Sequence, residues 1–144
     1  MSLRAQRMAT TAFERVSARA TLTTETSRKY GALAHKLPGM ILQSGLAQAT
    51  GFLLAKAQGG DADPHTLLLD DLHAVLNANR PLGTTTATEL HALVLRAPLL
   101  ETLALTRAAL EASSWIKRYV QGVLRVSTTG DSEAGTEGPA EGSR

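Results

Sequence analysis

The stretch LPGMILQSGLAQATGFLLA, residues 37–55, constrains this chain more than any other. It contains nineteen residues without a charge. A bilayer-spanning helix needs about 20 predominantly apolar residues, so the length alone allows a membrane span. The composition argues against one. Only eleven of the nineteen are apolar. Gln43, Ser44, Gln48 and Thr50 interrupt the run, as do Gly39, Gly45 and Gly51. Phe52 lies mid-segment, and no aromatic residue marks either end as an interface anchor. The alternative is a helix surrounded on most sides by other helices. Ala47, Gly51 and Ala55, four apart, would form its small-residue ridge.

The remaining 125 residues must then supply the surrounding helices. Ala and Leu dominate the apolar set and aromatics make up 3% of the chain, which favours helix over strand. No alternating apolar pattern flanked by hairpin turns is present. Met8, Ala12, Phe13, Val16 and Ala20 mark an amphipathic helix over 3–20. A short helix follows over 25–36. Pro38, poorly suited to a helix interior, predicts a bend at Leu37–Pro38 and a new helix to about Lys56. QGGDADP, residues 58–64, reads as a loop. Leu68, Leu69, Leu72, Val75 and Leu76 set a helix over 65–79, another covers 88–97, and Pro98 opens a long one to about Val126. The fold class is all-α: a single compact bundle of about five to six helices over 1–126. Residues 127–144 lack large apolar side chains and read as a disordered acidic tail.

Charge is segregated. Residues 1–57 carry eight Lys or Arg against two acids, whereas residues 58–79 carry four acids and no Lys or Arg. Residues 80–126 carry six bases against three acids, and the tail carries four acids and one base. A basic body with an acidic tail favours a polyanionic partner. On the first helix Arg4, Arg7, Thr11, Arg15 and Arg19 step by three or four, a row that suits either solvent or phosphate. On the last, Arg107, Glu111, Ser114, Arg118, Gln121 and Arg125 form a polar row beside Lys117.

Chemistry-bearing motifs are missing. The chain has no cysteine, which excludes thiolate zinc sites and cysteine nucleophiles and fits a reducing cytoplasm. The N-terminus has no apolar core of a signal peptide. His35, His65, His73 and His91 form no HExxH pair. His73 with Asp70 reads as a surface acid–histidine pair, not a metal site, because metals need three or four converging ligands. No nucleophile elbow, phosphate loop or dinucleotide fingerprint occurs. The expectation is a non-enzyme without cofactor or metal. Phe13, Tyr30, Phe52, Trp115 and Tyr119 mostly look buried by spacing, so any nucleic-acid contact should address the backbone rather than the bases.

Two stretches carry a resemblance: RKYGALAHKLPGMILQSGLAQATGFLLAK (28–56) and LETLALTRAALEASSWIKRYVQGVL (100–124). AQRMATTAFERV (5–16) adds to them. They resemble the small all-helical subunit of the type III-B (Cmr) CRISPR effector complex. The spacing Tyr30-Gly31, Leu37-Pro38, Gly45-Leu46-Ala47-Gln48 carries most of the likeness. Ser44 departs from the Asn expected there, and residues 58–97 add little. The resemblance implies a non-catalytic subunit of a cytoplasmic antiviral effector. It would stack with copies of itself, beside the backbone and large Cmr subunits, along the groove where target RNA pairs with guide RNA. RNA contacts would then fall first on Lys117 and Arg118, next on Lys36, Arg28 and Lys29. Arg7, Arg15 and Arg19 follow by stripe geometry, and Arg107 and Arg125 after them. The rival expectation is a structural spacer whose basic rows meet acidic neighbours, such as the 61–71 segment of the next copy.

Overall fold

The computed structural model of the protein describes residues 2–57 and 63–127. Among them are six α-helices and no strand: α1 Leu3–Ala18, α2 Thr24–Ser44, α3 Leu46–Lys56, α4 Pro64–Asn79, α5 Ala87–Arg96 and α6 Leu99–Tyr119. The expected loop at 58–62 and the expected disordered tail beyond 127 lie outside the described residues.

Local chemistry sets most helix starts. Ser2, Thr23, Asp63 and Thr86 each accept a backbone N–H from the first turn that follows, satisfying a donor that has no intrahelical partner. Pro64 occupies the first turn of α4, where its missing N–H costs nothing. Thr86 and Glu89 form a reciprocal capping box on α5.

Pro38 does not bend the chain into a new helix; α2 runs through it. Tyr30, Ala34, Leu37 and Ile41 are all buried on one face, so packing on both sides of Pro38 outweighs the lost backbone bond. The break falls at Gly45 instead, with φ 90° and ψ 159°. Side-chain-bearing residues rarely adopt such a backbone, and glycine does so without strain. Gly45 closes α2 by donating to the Ile41 carbonyl and opens α3 by accepting from Ala49. The long uncharged segment is therefore the second half of α2, a tight turn and α3. Leu42, Gln43 and Ser44 on it are exposed. No helix among the described residues is long and apolar enough to cross a membrane.

The buried post is α4, not the uncharged segment. It packs against each of the other five helices. Leu67, Leu68, Leu69, Leu72, Val75 and Leu76 are buried along it, together with Asp71 and His73. α1 runs antiparallel to α4, with Arg7 beside Ala78 and Arg15 beside Asp71. α6 packs on α1 and α2 and runs parallel to α1, since Arg4 reaches Glu111 and Phe13 meets Tyr119. The small-residue ridge of α3 is used at Gly51, where the His91 ring of α5 would come within 3.3 Å of an added Cβ.

The last helix ends sooner than its apolar stripe suggests. After Tyr119 it widens into a π-turn, Val120–Leu124. Arg125 then turns left-handed, with φ 61°. Val126 folds back and is buried against α2.

Candidate nucleic-acid interface

The helical repeat of about 100° per residue sorts the cations by direction. On α2 the buried face centres on Tyr30, Ala34, Leu37 and Ile41, and Arg28, Lys29 and Lys36 occupy the more exposed side. Lys29 pairs with Glu25 one turn earlier at 3.3 Å. On α6 Leu105, Ala109, Ala112 and Ile116 point inward, and Arg107, Ser114 and Arg118 form an outward row. Lys117 is half-buried, on the opposite edge of α6 from Trp115 and Tyr119. Because Tyr119 faces Phe13 of α1, that edge is the α2 side.

Arg118 lies with its guanidinium carbon 5.3 Å from the centre of the Trp115 ring. Trp115 stacks on Tyr119, which meets Phe13 edge-on at 5.4 Å. The contact holds Arg118 by cation–π attraction and leaves its outer edge available to anions. Phe13, expected inside, is 48% exposed. It lines an open groove of about 860 Å³ with Leu3, Gln6, Thr10 and Tyr119.

The arginine row of α1 is not a single solvated stripe. Arg4 bonds Asn79 and pairs with Glu111, and Arg7 donates to the Ala78 carbonyl at 3.2 Å. Arg15 and Arg19 turn inward onto Asp71. Arg15 Nε donates to Oδ1 at 2.8 Å and Arg19 Nε to Oδ2 at 3.0 Å. Tyr30 donates its hydroxyl to Oδ2 of the same carboxylate. The Asp71 side chain is wholly buried, and that of Arg19 is 14% exposed. This cluster was missed because a charged residue in an Asp-Asp pair reads as surface. Its spacing pointed inward: Asp71 stands three residues after Leu68 and four before Val75, which places it on one helix face with them.

The cluster's protonation follows from its geometry. Burial works against the Arg19 guanidinium, yet its interactions with Asp71 outweigh that and raise its pKa above the ordinary value. Burial, then the charge of Asp71, pushes Tyr30 well above the usual phenol range. Tyr30 therefore serves the cluster as a neutral hydroxyl donor, and the neighbouring Asp70 also acts electrostatically on Arg15 and Arg19.

The Asp70–His73 pair is likewise not a surface feature. His73 is 7% exposed, and its Nε2 contacts Thr84 Oγ1 at 2.8 Å and Asn77 Nδ2 at 2.9 Å. Asn77 Oδ1 accepts the Leu82 N–H, so its Nδ2 is the donor and His73 Nε2 accepts. Burial lowers the His73 pKa against the pull of Asp70, and burial raises that of Asp70. A cavity of about 450 Å³ opens here, lined by Arg15, Asp70, His73 and Thr84. Among the described residues no three His, Asp or Glu side chains converge as metal ligands.

A family model described as CRISPR-associated protein (Cas_Cmr5) matches residues 4–123. The chain belongs to the Cmr5 family. The family is the small subunit of the type III-B Cmr complex, as the sequence resemblance implied. A Cmr subunit Cmr5 of the CRISPR system of Thermus thermophilus is 34% identical to the chain, over 86% of this chain and 98% of that protein. The crystal structure of a CRISPR-associated Cmr5 family protein from the same organism superposes with a TM-score of 0.70 at 34% identity. It covers 86% of this chain and 99% of that one. The match to the Cmr5 family takes in α1 to α6 and most of the π-turn.

Proposed function

We propose that this Cmr5 family chain is a non-catalytic binding subunit that holds guide–target RNA by phosphate neutralisation. It does so while stacked with copies of itself beside the backbone and large subunits of the type III-B effector. The observation carrying this reading is the orientation of two cationic rows. Lys36, Arg28 and Lys29 leave α2 on its outward side, and Arg118, with Arg107, leaves α6 on its outward side. Lys117 lies half-buried on the α2 edge of α6. Arg7 stays at the rim, while Arg15 and Arg19 support the fold through Asp71. Forked or flexible cations along a surface suit phosphate oxygens and carry no base preference.

Each phosphate contact is a salt-sensitive contribution to affinity. Lys117→Glu with Arg118→Glu should leave the helical circular-dichroism signal intact and weaken RNA association of the assembled complex. It should also flatten the salt dependence. Unchanged RNA affinity across salt concentrations would refute the reading. A structural spacer is the second reading, favoured by four leucines at the α5–α6 corner. Leu95, Leu99, Leu100 and Leu103 are 53–79% exposed, an apolar cluster of the kind that marks protein contacts. Its acidic counterpart is not the 61–71 segment as a whole: Asp63 caps α4 and Asp71 is internal. Salt-sensitive assembly in the absence of RNA would favour the spacer.

A further inference from the structure

Beside the buried face of α4 runs a polar edge. His73, Ala74 and Asn77 follow Asp70 by three, four and seven positions, so all four share one side of the helix. The segment entering α5 is fastened over that edge. Asn77 Oδ1 accepts the Leu82 N–H at 3.0 Å, Thr84 Oγ1 meets His73 at 2.8 Å, and Thr86 caps α5. Arg15 of α1 lines the cavity of about 450 Å³ with them. That volume falls within the range of about 300–1,000 Å³ usual for small-ligand sites.

Two groups in this cavity are unused by the fold. Asp70 is half-buried, yet its carboxylate accepts no hydrogen bond and makes no ion pair among the described residues. Burial is the largest influence on it and raises its pKa, as expected of an acid short of donors. Arg15 donates through Nε to Asp71, which fixes the guanidinium. Its two Nη atoms have no hydrogen-bond partner among the described residues. Arg15 and Asp70 thus act on each other's charge within one cavity without pairing. A ligand filling the gap must donate to the carboxylate and accept from the guanidinium.

Among the common nucleobases only guanine offers this pattern with two adjacent N–H donors. Its N1–H and 2-amino group can donate to both oxygens of one carboxylate, while the neighbouring O6 accepts from an arginine. Adenine and cytosine present one amino group beside ring acceptors, and uracil one N–H between two carbonyls. Ala74 and Ala87, from different helices, supply methyl surface for the faces of a flat ring. We infer that this cavity is a binding site for an unpaired guanine base, held by Asp70 along its base-pairing edge and by Arg15 at O6. The guanine site stands on the cavity alone; delivery of the base by a single-stranded stretch of RNA rests on the proposed RNA role. It adds base readout to a surface whose other cations address phosphates.

The test follows amide signals of the full-length protein while guanosine monophosphate is added. Shifts should concentrate on Asp70, Ala74 and residues 84–87. Inosine monophosphate lacks the 2-amino donor and should bind about tenfold more weakly or worse, the loss of one hydrogen bond to a charged group. Adenosine, cytidine and uridine monophosphates should leave these amides unmoved. Asp70 makes no hydrogen bond or ion pair to the fold, so Asp70→Asn should keep the helical circular-dichroism signal and lose guanosine monophosphate. The same variant should gain xanthosine monophosphate, whose 2-oxo group accepts from the new amide. A merely structural role for Asp70 cannot invert the preference in this way. A short single-stranded RNA with one guanine, compared with its inosine counterpart, separates the sources. Tighter binding than the mononucleotide at the same amides assigns the guanine to RNA; weaker binding overturns delivery by RNA and leaves a free guanine nucleotide as the ligand. Equal shifts with adenosine monophosphate, none with guanosine monophosphate up to its solubility, or unchanged binding by Asp70→Asn overturns the site. Shifts produced by N-acetylarginine amide alone, the mark of a protein side chain, overturn it too. None of these outcomes bears on Lys117 or Arg118, whose reversal tests the phosphate contacts separately.

Discussion

Replacing Asp71 by Ala tests the internal ion cluster. The carboxylate is fully buried and accepts from Arg15, from Arg19 through two nitrogens, and from Tyr30. Its removal leaves the nearly buried Arg19 guanidinium without its anion and the Tyr30 hydroxyl without an acceptor in a site shielded from water. Removing one partner of a buried pair costs about 3–5 kcal/mol, because the surviving charge stays desolvated. A domain of this size gains or loses roughly 3–5 °C of Tm per kcal/mol, so Asp71→Ala should melt about 10–20 °C lower. The partners should rank by burial. Arg19→Met should cost more than Arg15→Met, whose arginine is 39% exposed and partly compensated by solvent. Tyr30→Phe should cost about 1.5–3 kcal/mol, the range for a hydrogen bond to a charged group. Exchanging the set for apolar residues, Asp71→Leu with Arg15→Met and Arg19→Met, should recover most of the loss, since no charge is then stranded. Thermal and urea melts followed by circular dichroism read all of these. Asp71→Ala within about 2 °C of the native chain would refute the reasoning, and so would a triple variant no more stable than Asp71→Ala alone.

Gly31→Ala gains about 1 kcal/mol of helix propensity but forces a methyl onto the β-branched Val126, and overpacking of this kind costs about 1–3 kcal/mol. It should therefore destabilise the native chain and become stabilising in a Val126→Gly background, which alone removes both the Cγ1 and the Cβ that crowd it; the same sign in both backgrounds would show that Val126 does not sit there. For His73 the folded pKa lies below its ordinary 6.5, so the folded state holds fewer protons than the unfolded state just below that pH. Stability should fall on acidification from pH 7 through the range beneath 6.5. A proton on Nε2 would also face the Asn77 donor and loosen the segment between α4 and α5. Asp70, with its raised pKa, works in the opposite direction at lower pH, so Asp70→Asn should steepen the acid loss and His73→Gln should remove it. Equal acid sensitivity in the native and His73→Gln chains, measured by Tm against pH, would exclude this histidine as the cause.

Much of the architecture was legible because burial in helices leaves a periodic trace. Met8, Ala12 and Val16 on α1, and Leu68, Leu72, Val75 and Leu76 on α4, are buried as their spacing indicates. The outward row on α6 was legible for the same reason, whereas the cations of α2 were singled out only through the family resemblance. Pro38 and Gly45 show where local rules mislead. Proline predicts a break from its own chemistry, but the apolar face on both sides of it is continuous and keeps the helix together. Glycine permits a break without requiring one, and the fold places its sharp turn there.

The chain by itself determined the helical class, the outward cations on α6 and the family, because periodicity and short motifs are local properties of the polymer. Tertiary structure decided which helix stands at the centre, which arginines face a carboxylate instead of solvent, and where the chain after α6 is pinned. Asp71 and Arg19 are 52 positions apart, and His35 and Val126 are 91. Pairings over such distances depend on how α4 and α2 dock against their neighbours, and no local pattern records that docking.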